Sequence, residues 1–502
     1  MQSDKSCSES RCPLAHFSRR SFLASAGALA AAAGCSRLGG LECASALLDE
    51  KGIKTPAIDK ARIRVAFVRP DVEKYWMGWP GAAYDIRAHQ RQYTKIIKSA
   101  AAKQAINLEL ISEPLHNPDK VNTFLQNLSS DAPDGILIVS MCLHHTGFKS
   151  WRQVNNIAAN KGKVPMVIFS PMGTSFTEEI RGERYPEVRK PGVAVGATQD
   201  VQWLATGLRM LNTIHLMKNT RICIARGDTA SDRKLDVIGT TLHYIPESRF
   251  VEELKKVQNS DEIRAMADYY RKNAKDIVEP TKDDILTAAK NYSVCRRLMV
   301  AENCHGFSMD CLGPVTRRLI KPPCMAFSRL RDEGGLGTCE ADWNAAISTR
   351  LTNLLFERPG FMQDPAPNTA NNTLMGAHCT CATRLDGFDK KPAPFILRSH
   401  SESNIGVAMQ VLWKVGQKIT IMKFQGPEKI ILGTGTVLRN IDTPPSGGCR
   451  TSLEVELDNV PDSRDVRGFH QLFIYGDLED EFKNYCQLAG IEVQHIHRPR
   501  PA

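Results

Sequence analysis

No apolar stretch of this 502-residue chain is long enough to cross a bilayer as a helix; the best run, residues 22–33, has the length of a signal-peptide core. Aromatic residues are scarce, at 7%, and no basic stripe is interleaved with them. That argues against a nucleic-acid-binding surface, although the formal net charge is +10. There is no P-loop, and Gly192-Val-Ala-Val-Gly196 has too few glycines to cradle a nucleotide phosphate. Cysteine is plentiful, at 15 residues, but paired motifs are missing: Cys379 and Cys381 form only a C-x-C. Four cysteines fall before residue 47, and the odd, irregularly spaced remainder is neither a disulfide framework nor a zinc ribbon. These read as buried thiols acting as small apolar side chains. Internal repeats are also absent.

What the N-terminus does contain is Ser18-Arg19-Arg20-Ser21-Phe22-Leu23, the S-R-R-x-F-L core of a twin-arginine export signal, followed by the alanine-rich run. Ala44-Ser45-Ala46 offers a small-residue cleavage site, and Ala33-Gly34-Cys35 a competing, lipid-modified one. The expectation is a signal peptide over residues 1–46 and a periplasmic or cell-envelope location. The route carries folded proteins.

A chain of this length calls for two or three cores. Residues 62–68, 135–139 and 164–169 are continuous apolar runs, the pattern of buried parallel strands, and helical stretches separate them. A second unit begins near Thr220 with the strand at 221–225, amphipathic helices at 261–273 and 282–299, and another helix at 343–356. From about Pro392 short strands separated by Gly, Pro, Asn and Asp indicate an all-β module. The predicted fold is α/β, with two Rossmann-like α/β domains (60–219 and 220–385) followed by a C-terminal β-barrel-like domain (386–502).

The densest chemistry lies in 334–378, on what read as short, turn-rich segments. Glu340 follows a glycine run in GGLGTCEADW, Asp364 precedes a proline in FMQDPA, and His378 follows Gly376-Ala377 in LMGAHC. Two carboxylates and an imidazole suit a hard-to-borderline divalent cation such as Mn²⁺. His470, far downstream in RGFHQLF, is a candidate fourth ligand. Each has an ordinary alternative: Glu340 as a solvated carboxylate at a helix N-terminus, Asp364 as a turn residue, the histidines as hydrogen-bonded core residues.

The same segments resemble the L-fucose/L-arabinose isomerase superfamily. SRLRDEGGLGTCEADWNAAI is similar to the arabinose isomerase segment that supplies a glutamate ligand, LMGAHC to its GAH segment, and GFHQLFIYGDLEDEFKNYCQLAGIEVQHI to its C-terminal histidine segment. The Glu340–Asp364 spacing resembles the ligand pair of fucose isomerases. The resemblance implies two α/β domains and a β-barrel, a metal held by Glu340, Asp364, His378 and His470, and assembly as trimers or hexamers with sites between subunits. It implies an aldose–ketose isomerase acting on a monosaccharide through an ene-diolate, with Glu340 as base and Asp364 as its acid/base partner. Met141-Cys-Leu-His-His-Thr146 is similar to the family's CWMHT segment, which makes His145 a substrate contact; Arg69 and the nearby Trp76 and Trp79 are further ones. The chain departs from the pattern at Gln363, where the arabinose enzymes have glutamate in FMED, and at Phe469, where relatives often have a second histidine. A non-catalytic exported sugar-binding protein, and a metal-dependent epimerase or lyase, are the alternatives from other classes.

Overall fold

The computed structural model describes residues 56–76, 83–145, 147–445 and 447–498. The expected signal peptide and Trp79 lie outside the described residues, as does the side chain of Trp76, which ends the short strand Lys74–Trp76. Among the described residues no helix is long and apolar enough to cross a membrane.

The first sheet is built from β1 (Arg62–Val68), β2 (Asn107–Leu110), β3 (Gly135–Ser140), β4 (Met166–Pro171) and β5 (Val193–Thr198). Its order is β2-β1-β3-β4-β5, every pair parallel. β3 and β4 are buried at every position, as a sheet covered on both faces requires. Alternation along β1 serves both covers. Ile63, Val65 and Phe67 pack with Tyr93 and Ile97 of the helix Ile86–Lys103 and with Leu204 and Leu208 of Trp203–Lys218. Ala66 and Val68 pack on the other face with Phe124 of Pro118–Ser130 and Trp151 of Ser150–Asn160. Each such large side chain contributes roughly 1.5–3 kcal/mol on burial. The helix starts are written locally: Asn117 caps Pro118–Ser130 by accepting the Lys120 amide at 2.9 Å, with Pro118 at the first helical position.

The second sheet comprises β6 (Arg221–Ala225), β7 (Ser231–Lys234), β8 (Thr241–Ile245), β9 (Gly306–Met309) and β10 (Gly337–Cys339), in the order β7-β8-β6-β9-β10. Only β7 runs antiparallel. The C-terminal region closes a six-stranded barrel from β11 (Phe361–Asn368), β12 (Thr373–His378), β13 (Lys418–Phe424), β14 (Lys429–Asn440), β15 (Thr451–Leu457) and β16 (Gln471–Tyr475). Around the barrel they run β13-β16-β11-β12-β15-β14, and β14 pairs back onto β13. Closure leaves no open sheet edge among those six. The fold is therefore α/β with a C-terminal barrel, as the sequence pattern predicts.

One local expectation changes. Asp364 and His378 sit on paired antiparallel strands, β11 and β12, rather than on turns, with Asp364 opposite Ala377. Pro365 and Pro367 obscured this. β11 pairs with β16 only over residues 361–363, so both prolines lie where that side of the strand has no ladder partner and no N–H is needed.

Candidate metal centre

Glu340 stands at the carboxyl end of β10, and two close approaches fix its place. A Cβ on Gly337 would lie 2.8 Å from Phe327 Cα, and one on Gly335 would lie 2.9 Å from Leu330 O. The glycines of GGLG thus let the strand press against the helix Cys324–Asp332. Glu340 and Ala341 then take φ of +59° and +53°, left-handed values that cost non-glycine residues about 1–3 kcal/mol each. Asp342 follows, caps the helix Trp343–Phe356 through the Ala345 amide at 3.0 Å, and returns the chain to regular structure. That helix is tied to the barrel: Ser348 Oγ accepts the Phe424 amide at 2.8 Å and Asn344 Oδ1 the Gly426 amide at 2.9 Å.

The barrel supplies the remaining side chains. One carboxylate oxygen of Glu340 and one ring nitrogen each of His378 and His470 lie within 4.8 Å of one another. His470 Nε2 is 3.3 Å from Glu340 Oε2 and 3.2 Å from Asp364 Oδ1, and His378 Nε2 is 3.7 Å from Glu340 Oε1. His470 is also left-handed, with φ +56°. None of these approaches is aligned as a hydrogen bond, so His378 Nε2, His470 Nε2 and Asp364 Oδ1 are buried atoms lacking a hydrogen-bond partner. Unpaired buried polar atoms are costly, and several converging on one point fit a shared cation. Asp364 faces this point from one side, outside the mutual three-residue set.

The two imidazoles differ. His470 Nδ1 donates to Asp342 Oδ2 at 2.9 Å, and the Lys423 ammonium, 2.7 Å away, holds the same oxygen while also donating to the Phe469 carbonyl. This fixes the ring with Nε2 turned to the cluster, the arrangement in which a carboxylate orients a metal-binding histidine. Burial opposes a charge on His470, but Asp342, Asp364 and Glu340 outweigh it and push its pKa up to about 10. Asp342 is partly buried too, yet His470 and Lys423 hold it well below the usual carboxylate range. Pairing with His470 lowers Glu340 as well. His378 behaves oppositely. Burial pushes its pKa down, and its Nδ1 accepts the Cys379 amide at 2.9 Å. Its neutral ring therefore carries the proton on Nε2, and ligation there requires giving up that proton or that hydrogen bond. Glu340 and Asp364 fit a divalent cation as they stand; His470 fits on losing its Nε2 proton, and His378 after the adjustment just described.

Gln363 is not part of the centre. It is fully buried on the opposite face of β11, where Nε2 donates to Gln471 Oε1 at 3.1 Å. Gly376 of the GAH segment leaves room for it, since a Cβ there would lie 2.7 Å from Gln363 Oε1. Strand alternation thus gives the cluster Asp364 and the barrel interior Gln363. Cys339 and Cys379, next in sequence to Glu340 and His378, are buried free thiols. Asp342 and Lys423 were not among the residues singled out from the sequence. The signal for Asp342 was its N-cap position two residues after Glu340; Lys423, alternating into a strand, gave none.

The structure brings Glu340, Asp364, His378 and His470 together, but not the candidates of the first sheet. His145 lies edge-on to Tyr75, with ring centroids 6.2 Å apart. Arg69, buried, donates to Gln90 Oε1 at 2.5 Å and to Pro70 O at 2.7 Å. Among the described residues no hydrogen bond or ion pair joins either to the cluster.

No protein-family model matches the chain. Among characterised proteins it is similar to a sulfoquinovose isomerase of Alkalicoccus urumqiensis, 21% identical over 431 residues that span 76% of this chain and 90% of that relative.

Proposed function

We propose that this chain is a metal-dependent aldose–ketose isomerase acting on a monosaccharide. The observation that carries the reading is the convergence of Glu340, His378 and His470 around one point, with two unpaired imidazole nitrogens facing it. The likeness to a sugar isomerase over most of both chains supports it. A divalent cation, Mn²⁺ by the donor set, would be held by Glu340, Asp364, His378 and His470. It would supply Lewis-acid stabilisation of the negative oxygen charge that develops as a proton moves between C1 and C2 of the open-chain sugar.

The protein's own groups supply the rest. Asp342 and Lys423 fix the His470 ring. Glu340 and Asp364 remain about one-third exposed at their side chains, within reach of a bound sugar. Glu340, kept ionised by His470, is the base that takes the proton from one carbon and returns it to the neighbouring one, with Asp364 as its acid/base partner. In this reading Arg69, Trp76 and His145 serve the sugar site of a neighbouring subunit, in a trimer or hexamer. The enzyme reaches the cell envelope by the twin-arginine route, on the strength of Arg19 and Arg20.

The test is elemental analysis of purified protein, wild type beside Glu340→Gln, then incubation of both with Mn²⁺ and a panel of aldoses in D₂O, including a sulfonated hexose. The expected result is about one metal per chain, lost in the variant, and solvent deuterium at C2 of one aldose or C1 of its ketose. A metal-free wild type that exchanges no sugar proton would overturn the reading and leave a sugar-binding protein. Exchange without ketose would indicate epimerase or lyase chemistry.

A further inference from the structure

A second site lies at the carboxyl end of the first sheet. A cavity of about 400 Å³ opens there beyond β1 and β2, lined by Arg69, Arg87, Gln90, Arg91, Thr94 and Ser112 among others. Open α/β sheets bind ligands in this position, outside the carboxyl ends of their strands. Arg87, Gln90, Arg91 and Thr94 recur at helical spacing on one face of Ile86–Lys103 and lie in its first turns, at the positive end of its dipole. That helix has no acidic residue.

The charge around the cavity is unbalanced. Arg69 is 5% exposed, yet among the described residues its only hydrogen-bond partners are the neutral Gln90 and Pro70 oxygens. The nearest carboxylate, Asp71, stands 3.9 Å away and is itself shared with Arg87 at 3.4 Å. Among the described residues no hydrogen bond or ion pair reaches Arg91. Three guanidiniums thus face one cavity with one carboxylate among them. A buried guanidinium without a matched anion is expensive, and its planar donor fork suits an oxyanion.

We propose that this pocket binds an oxyanion of sulfonate or phosphate type, held by Arg69, Arg87 and Arg91 with Gln90 and Ser112 at its rim. The inference shares Arg69 with the isomerase reading, but its test reads anion binding alone, so the two can fail separately. The source is either a free anion or the acidic end of a sugar.

The experiment titrates the full-length protein by calorimetry and thermal shift at constant ionic strength. The probes are sulfate, inorganic phosphate, methanesulfonate, a hexose sulfonate and the matching neutral hexose, with chloride as the background salt. Saturable binding of the oxyanions is expected, weakened at least about tenfold in Arg91→Ala and in Arg87→Ala, since each removes a charged hydrogen-bond donor. Neither variant disturbs a buried contact, so both should fold; Arg69→Gln, at a buried position, is a third variant read only if its far-UV spectrum is native. Tighter binding of the hexose sulfonate than of methanesulfonate assigns the anion to a sugar, and equal binding assigns it to a free ion. No saturable binding, or equal binding in wild type, Arg91→Ala and Arg87→Ala, overturns the proposal.

Discussion

The carboxyl ends of the parallel strands in the two sheets carry opposite chemistry. Beyond β1 and β2 lie three guanidiniums and one carboxylate; beyond β10 lie two carboxylates, a capping aspartate and two imidazoles. The parallel strands follow a like order in both, so what sets the sign is the wall opposite each sheet. The first crevice is closed by a helix rich in Arg and Lys and free of Asp and Glu. The second is closed by barrel strands that present Asp364, His378 and His470. An α/β sheet end is a place where backbone stops and side chains converge. The element packed across from it decides whether it attracts an anion or a cation.

The comparison breaks most severely at His470. His470→Ala removes the best-oriented nitrogen and leaves Asp342 and Lys423 paired around a void. Metal affinity should fall by more than the roughly 100-fold typical of losing a supporting partner, with isomerisation abolished. His378→Ala should cost less, because no carboxylate orients the His378 ring as Asp342 orients His470, and ligation disturbs its bond to the Cys379 amide. Equal losses in competition titrations of the two variants would refute that ranking.

Gln363→Glu tests the strand alternation that separates cluster from barrel. A carboxylate at 363 would enter a fully buried site beside Gln471 and Gly376. It should lower stability by about 2–4 kcal/mol by denaturant unfolding and add no metal affinity. A gain in metal affinity would mean that residue 363 reaches the centre.

Much of this was legible in the sequence and some was not. The four ligand candidates, scattered over 340–470, were recognisable because each sits in a short motif, and the structure places them together. The parallel strands were legible as unbroken apolar runs. The strand status of FMQDPAPN was not, because two prolines in eight residues argue against a strand unless one knows that its partner β16 pairs only with the first three. Asp342 was hidden by its ordinary appearance as a helix cap. The anion pocket was hidden because its residues come from a strand end, a helix face and a second strand end, and only folding makes three separate arginines one group.

Asp342→Asn measures the supporting layer. Asparagine still caps a helix, so stability through the cap should be nearly kept. The charge that orients His470 is lost, and metal affinity should fall about 10- to 100-fold. The same pairing sets the pH dependence. His470 is raised to about 10, so in the metal-free protein its proton competes with the cation across the neutral range. Metal affinity should therefore climb about tenfold per pH unit towards that value, with about one proton released per metal bound. In the metal-free protein the sign for stability is the reverse: the contribution of protonated His470 is fully present below the unfolded pKa near 6.5 and is lost as pH rises through about 10. In Asp342→Asn the pH slope of metal binding should flatten at a lower pH.

The smallest expected effect asks whether the two sheet ends are independent. With no hydrogen bond or ion pair joining them among the described residues, Arg91→Ala should leave metal affinity within about twofold, the usual result for sites without shared partners. Likewise His470→Ala should leave oxyanion affinity unchanged. A coupling of tenfold or more in either direction would have to be reciprocal. Among the described residues no hydrogen bond or ion pair carries such coupling, so its expected source is one ligand touching both sites, with the cationic end of one subunit facing the metal centre of the next. Titrating metal into Arg91→Ala at protein concentrations above and below the assembly threshold separates the cases. Coupling that vanishes on dilution belongs to the assembly, and coupling that persists belongs to the fold of one chain.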